Sequence, residues 1–314
     1  MYVQRAKLIL ATTKNNFSEN IDNNNRIVEI YEIFRSKGSK CSLSSEEVKS
    51  FTIEALKLKG LSQGGIDLLC DDSSDVRKTS MLQLFCFPYA GGNVDFYKKW
   101  KNVSTHGFDI ELIEYPGRGR KIREPFAKDF SRMVDILCEE VEEKINGEFS
   151  FFGHSLGAIV AYEVAKKLKR EKGMVPVCVF LSGCPAPHCI TDKYSMNDLS
   201  DDEFISKVVS LGGIPKELCD QPDLLKSFLP TLRHDFAILD TYSPLNEDIS
   251  SVPIITFAGD CDSKVSASQV KEWKGYTNSL FDCYVLKGNH FFIYDELPTI
   301  IDKVGNCLDE LCEL

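Results

Sequence analysis

Residues 149–170 read FSFFGHSLGAIVAYEVAKKLKR. The first five, three of them phenylalanine, read as a buried strand, and the stretch from Gly157 onward has the spacing of a helix. Between them lies Gly153-His154-Ser155-Leu156-Gly157, a G-x-S-x-G pentapeptide. A serine on so sharp a strand-to-helix turn stands clear of the sheet with its hydroxyl exposed. Glycines two residues to either side let strand and helix approach without a Cβ clash. Ser155 is therefore the candidate nucleophile.

The same strand-then-helix rhythm extends in both directions. LQLFCF (82–87), FDIELIEY (108–115), VCVFLSG (177–183), PIITFAG (253–259) and FDCYVLKG (281–288) read as further strands, and helices are expected over 127–145, 157–170, about 266–275 and 297–312. Alternation of buried strands with helices predicts an α/β fold, a doubly wound and mostly parallel sheet. After the strand at 177–183 the chain spends about 187–250 on polar, helix-capable sequence. An insertion of that size at the carboxyl edge of a sheet is expected to form a helical lid. Upstream, residues 14–25 (KNNFSENIDNNN) are polar and biased. Helical spacing then returns over 26 to about 60, with Ser44 and Glu47 forming a capping-box signature. Residues 1–78 are thus expected to be a partly flexible, partly helical extension, and 79–314 the catalytic domain.

A lone serine needs a base. Of the five histidines, His106 lies in a polar loop, His154 sits inside the elbow, and His188 and His234 fall in the lid region. His290 follows the last strand, where a base can face the nucleophile. The acid that orients it should end an earlier strand. Gly259-Asp260-Cys261-Asp262 follows the strand at 253–259, and its spacing favours Asp262 with Asp260 as competitor. The order Ser155, Asp262, His290 is that of α/β-hydrolases. An oxyanion formed during attack requires preorganised N–H donors. One is expected from Leu156, directly after the nucleophile. The other is expected from FPYAGGN (87–93), with Ala90 as donor and Tyr89 next.

Composition narrows the partners. A net charge of −10 argues against nucleic acid, whose phosphates need a basic surface. No apolar run approaches the length of a membrane span. The 12 cysteines are scattered, without a CxxC pair or a secretory h-region, and point to a reducing, cytoplasmic setting. The opening MYVQRAKLILATTKNN, basic and free of acids, offers organelle targeting as the alternative.

FCFPYAGGNVDFYKKW (85–100), EYPGRGRKIREPF (114–126) and GHSLGAIVAYEVA (153–165), followed by FLSGCPAPH (180–188), the stretch 199–242, PIITFAGDCDSKVSASQVKEW (253–273) and GNHFFI (288–293), together resemble the type II thioesterases. These are the separate editing thioesterases of polyketide, nonribosomal peptide and fatty acid synthesis. The resemblance spans about residues 81–312, while residues 1–80 match nothing in that family. It implies a monomer without metal or cofactor that hydrolyses acyl groups from the phosphopantetheine arm of an acyl or peptidyl carrier protein. The basic run Arg118, Arg120, Lys121 and Arg123 has two readings, a contact for the arm's phosphate or an acidic carrier surface, and a solvated loop. Lid side chains Phe204, Val208, Leu225, Phe228 and Leu229 either line an acyl pocket or, as is commoner at helical spacing, pack against the core. Alternatives on the same fold are a chain-terminating hydrolase of medium-chain acyl groups and a carboxylesterase. A fold retained only for binding is the alternative of a different class.

Overall fold

The computed structural model describes residues 82–100, 107–190, 194–196, 198–210, 222–246 and 249–312. The expected helices within 26–60 and the boundary near residue 78 lie outside these. Six strands form one sheet: β1 (Leu82–Phe87), β2 (Phe108–Leu112), β3 (Phe149–His154), β4 (Val179–Ser182), β5 (Ile254–Gly259) and β6 (Phe281–Leu286). Their order is β2-β1-β3-β4-β5-β6 and every pairing is parallel. β1 is flanked by β2 on one side and β3 on the other, so the strand order reverses there. A crevice at the carboxyl ends of such strands is where open α/β sheets bind ligands.

The apolar strands are buried on both faces because side chains alternate across the sheet. Phe85, Phe87, Phe151, Leu181 and Ile254 point into one layer, where they pack with α2 (Phe130–Lys144) and α3 (Leu156–Lys172). Leu84, Cys86, Phe152, Phe180, Ile255 and Phe257 point into the other. There they meet Tyr97 of α1 (Asp95–Lys98), Trp100, and Ile300, Ile301 and Val304 from α8 (Leu297–Cys312). Trp100 stacks edge-on against Phe152 at 4.5 Å, one of several aromatic contacts that fill this layer.

Two sequence expectations shift at their ends. β2 stops at Leu112, where its register with β1 runs out at Cys86, although Ile113 to Tyr115 stay buried. The helix expected at 266–275 is α6 (Ala267–Lys271), closed by a capping box between Ser266 and Gln269. It then tightens into a 3₁₀ turn over Glu272–Tyr276.

The insertion between β4 and β5 contributes α4 (Asp201–Ser210) and α5 (Pro222–Leu239). Met196, Phe204, Val208, Leu225, Leu229, Leu232 and Phe236 form a small core of their own within it, and Ala90 of the β1 loop packs against that core. A short α7 (Phe292–Asp295) follows the β6 loop. No helix of the described residues is long and apolar enough to cross a membrane.

Candidate active site

The turn between β3 and α3 holds Ser155 at φ 54°, ψ −119°, a backbone conformation that a residue with a Cβ adopts only under strain. Its N–H donates to Ser182 O at 2.8 Å, which ties the turn to the end of β4. The flanking glycines are required by close approach. A Cβ on Gly153 would come within 2.1 Å of Gly157 O, and one on Gly157 within 2.1 Å of Phe87 O. The pentapeptide thus clamps three segments together: β3, α3 and the end of β1.

Ser155 Oγ donates to His290 Nε2 at 3.0 Å. His290 Nδ1 in turn donates to Asp262 Oδ2 at 2.7 Å. Oδ1 of the same carboxylate accepts from the backbone N–H groups of Lys264 at 2.9 Å and Val265 at 3.1 Å. Burial works against the ionised form of Asp262, but His290 and those two N–H donors hold the carboxyl below its ordinary value. Asp260 is exposed, and its carboxylate accepts from Gly288 N–H at 2.8 Å, so it braces the β6 loop rather than the imidazole.

His154 lies beneath this array, fully buried, with its ring centroid 5.2 Å from that of His290. Its Nδ1 is 2.9 Å from Ser182 Oγ. Burial, and then the proximity of His290, keep its imidazole well below the ordinary histidine range. It stays neutral and places no competing cation beside His290.

Leu156 begins α3 and Ala90 sits on the turn after β1, and both line the same cavity as Ser155 and His290. That cavity has a volume of about 380 Å³. Its walls are mainly apolar: Ile159, Cys184, Pro185, Ile190, Tyr194, Phe236, Leu239 and Val265. Tyr89 lines it as well, and its hydroxyl hydrogen-bonds Tyr294. The carbonyls at the root of this loop are held from beneath, Phe87 O by Tyr97 Oη at 3.0 Å and Pro88 O by Tyr115 Oη at 2.8 Å.

Several of the residues singled out from the sequence stand elsewhere, among them Val208, Leu225 and Leu229, which are buried in the lid's own core. Arg118 is buried, and its guanidinium pairs with Asp235 of α5 through Nη1–Oδ2 at 2.6 Å and Nη2–Oδ1 at 2.5 Å. It does not present a free cation to a phosphate. Of the same run, Arg120 and Arg123 are exposed, while Lys121 pairs with Glu140. Phe204 is buried in the lid's own core, under the Arg233 guanidinium at 4.4 Å, and Phe228 packs half-buried against that core. Neither reaches the cavity. Helical spacing identified α5 as amphipathic but could not say which of its apolar side chains turn towards Ser155. Those are Phe236 and Leu239.

Among the described residues no group of histidine, cysteine, aspartate or glutamate side chains is arranged to hold a metal ion. Ser155, His290 and Asp262 place a hydroxyl, an imidazole and a carboxylate in series beside a mainly apolar cavity.

Comparison with known proteins gives this site a family. The thioesterase domain family model matches residues 82–308. The gramicidin S biosynthesis protein GrsT of Aneurinibacillus migulanus is 30% identical over 230 residues, covering 73% of this chain and 90% of that protein. The medium-chain S-acyl fatty acid synthase thioesterase of Rattus norvegicus is 28% identical, covering 73% and 89%. The crystal structure of ClbQ from the colibactin NRPS/PKS pathway superposes with a TM-score of 0.70 at 27% identity, over 74% of this chain and 98% of that one. The chain belongs to the thioesterase domain family and is a thioester hydrolase of the α/β-hydrolase fold.

Proposed function

We propose that this thioesterase releases acyl groups from the phosphopantetheine arm of an acyl or peptidyl carrier protein, with Ser155 as nucleophile, His290 as base and Asp262 as its orienting acid. The observation that carries the reading is the hydrogen-bonded series Ser155–His290–Asp262 at 3.0 and 2.7 Å, opening onto a mainly apolar cavity. Ser155 Oγ attacks the thioester carbonyl as His290 Nε2 takes its proton. The oxyanion is met by the N–H groups of Leu156 and Ala90. The sulfur leaves as a thiol, protonated by His290, and the acyl group stays on Ser155. Water, deprotonated by the same imidazole, then adds to the acyl ester, and collapse returns the proton to Ser155 and frees the acid. Asp262 remains a carboxylate throughout and holds Nδ1–H. A thiolate leaves readily, so the site needs no metal to activate the bond.

The acyl chain occupies the cavity between Ser155 and the α5 side chains Phe236 and Leu239. Arg120 and Arg123, the exposed members of the basic run, are the side chains available to an acidic carrier on a protein whose net charge is −10. Cysteines buried in the core without a disulfide, such as Cys138, Cys178 and Cys184, accord with a reducing, cytoplasmic setting. The catalytic domain is residues 79–314, and the protein works as a monomer.

Likeness to the rat medium-chain enzyme supports a second role on the same chemistry, chain termination rather than editing. Hydrolysis rates on a carrier loaded with acyl groups from acetyl to palmitoyl distinguish the two. Broad, slow hydrolysis of short chains marks editing, and a sharp medium-chain optimum marks termination. A matched pair of acyl thioester and oxyester tests the reaction class. The thioester is expected to be preferred, and a clear preference for the oxyester would overturn the proposal.

A further inference from the structure

Outside the Ser155–His290–Asp262 series, Asp235 is a buried carboxylate held by several donors. It lies on lid helix α5 and is fully buried. One of its oxygens, Oδ2, accepts from Gly91 N–H at 2.7 Å and from Arg118 Nη1 at 2.6 Å, while Oδ1 accepts from Arg118 Nη2 at 2.5 Å. Arg118 Nη1 also reaches Gly92 O at 3.3 Å. His234 Nδ1 lies 3.3 Å from Oδ1, and its Nε2 lies 2.7 Å from Ala127 O. A single carboxylate therefore gathers the β1 loop, the β2 loop and the lid.

This arrangement has little to offer stability. Burying an ion pair costs nearly what the pairing returns, and apolar residues of similar size often serve as well. What the arrangement fixes is a peptide group. Gly91 N–H belongs to the peptide that follows Ala90, and anchoring it sets the orientation of the Tyr89–Ala90–Gly91 turn. Gly91 stands at φ +72°, and a Cβ there would come within 2.4 Å of Leu232 Cδ2 of α5, so the turn rests directly on the lid helix. Phe236, which follows Asp235 on α5, lines the cavity.

We propose that Asp235, held by Arg118, is a positioning residue that aims the Ala90 N–H at the oxyanion and makes the oxyanion loop dependent on the seating of the lid helix. The inference rests on the reading of Ser155 as nucleophile and Ala90 as oxyanion donor. It adds a device by which a lid that is out of place leaves the nucleophile intact and the transition state unsupported.

The decisive comparison uses the full-length protein with Asp235→Asn and with the double substitution Arg118→Met/Asp235→Leu, which removes both buried charges at once. Removing an oxyanion donor outright costs roughly a hundred- to a thousand-fold in kcat, so misplacing one is expected to lower kcat about ten- to a hundred-fold with KM within about threefold. Affinity for an acyl trifluoromethyl ketone should weaken by the same factor, because its adduct on Ser155 carries the oxyanion. A folded double variant with wild-type kcat, or a change confined to KM, overturns the proposal. If the double variant does not fold, Asp235→Asn is judged by the same two readings. Ketone affinity that survives Ser155→Ala would instead overturn the nucleophile assignment beneath it.

Discussion

Ser155 is strained by its backbone and relieved by its partners. Its positive φ costs on the order of 1–3 kcal/mol, which the packing of β3, α3 and the end of β1 must offset. The choice between two aspartates two residues apart is made by burial. The Asp262 side chain is 0% exposed and faces His290, whereas Asp260 points to solvent and braces Gly288. Asp262→Asn should lower kcat about a thousandfold or more by presenting the wrong tautomer of His290, while Asp260→Asn should stay within severalfold of wild type on the same thioester. The carboxyl of Asp262 is depressed below its ordinary 3.8 in the folded protein. Its ionised form therefore stabilises the fold above about pH 4, and that contribution is lost as pH falls through the lower, folded value. Denaturation of wild type and Asp262→Asn across pH should show a constant stability difference from neutrality to about pH 4 and a shift in favour of the variant below it. The hydrogen-bonded series of Ser155, His290 and Asp262 was legible in the sequence because each residue follows a strand. Asp235 was not, because its partner Arg118 lies 117 residues away and only the folded lid brings them together.

At the level of elements, the elbow and the lid obey different constraints. The elbow is a contact between backbones. A methyl group on Gly157 would strike Phe87 O and Pro88 O, and neither carbonyl can move without disturbing the oxyanion loop. Gly157→Ala is expected to lose most activity and to melt lower than wild type, measured together on one preparation. The lid is a contact between side chains, and α5 divides its apolar residues between the lid core and the cavity. Phe236→Ala should shift the preferred acyl chain towards longer substrates, since it opens the cavity wall. Phe204→Ala should leave chain preference alone and cost about 3–5 kcal/mol by emptying the lid core, provided the site does not collapse. The strands and the long helices were readable to within a few residues, because period and burial coincide along them. The division of α5 was not, because helical spacing marks an apolar stripe without saying what meets each part of it.

For the whole molecule, strand order reversal beside β1 places the β1 loop and the β3 elbow next to each other, so Ala90, Ser155 and Leu156 share one edge of the sheet. The loops after β5 and β6 bring Asp262 and His290 to that same edge. The alternation of strand and helix made this architecture legible from sequence, and the family match to residues 82–308 accords with it. If residues 1–78 are an appendage, a chain lacking them should keep kcat on a small acyl thioester within about twofold. The central claim, that a thioester's acyl group passes through Ser155, is tested most directly by mass spectrometry of the protein after brief incubation with an acyl-loaded carrier protein. The account predicts an acyl mass on the peptide containing Ser155 and release of the free acid, both lost in Ser155→Ala. Release of the acid by Ser155→Ala at the wild-type rate would contradict it.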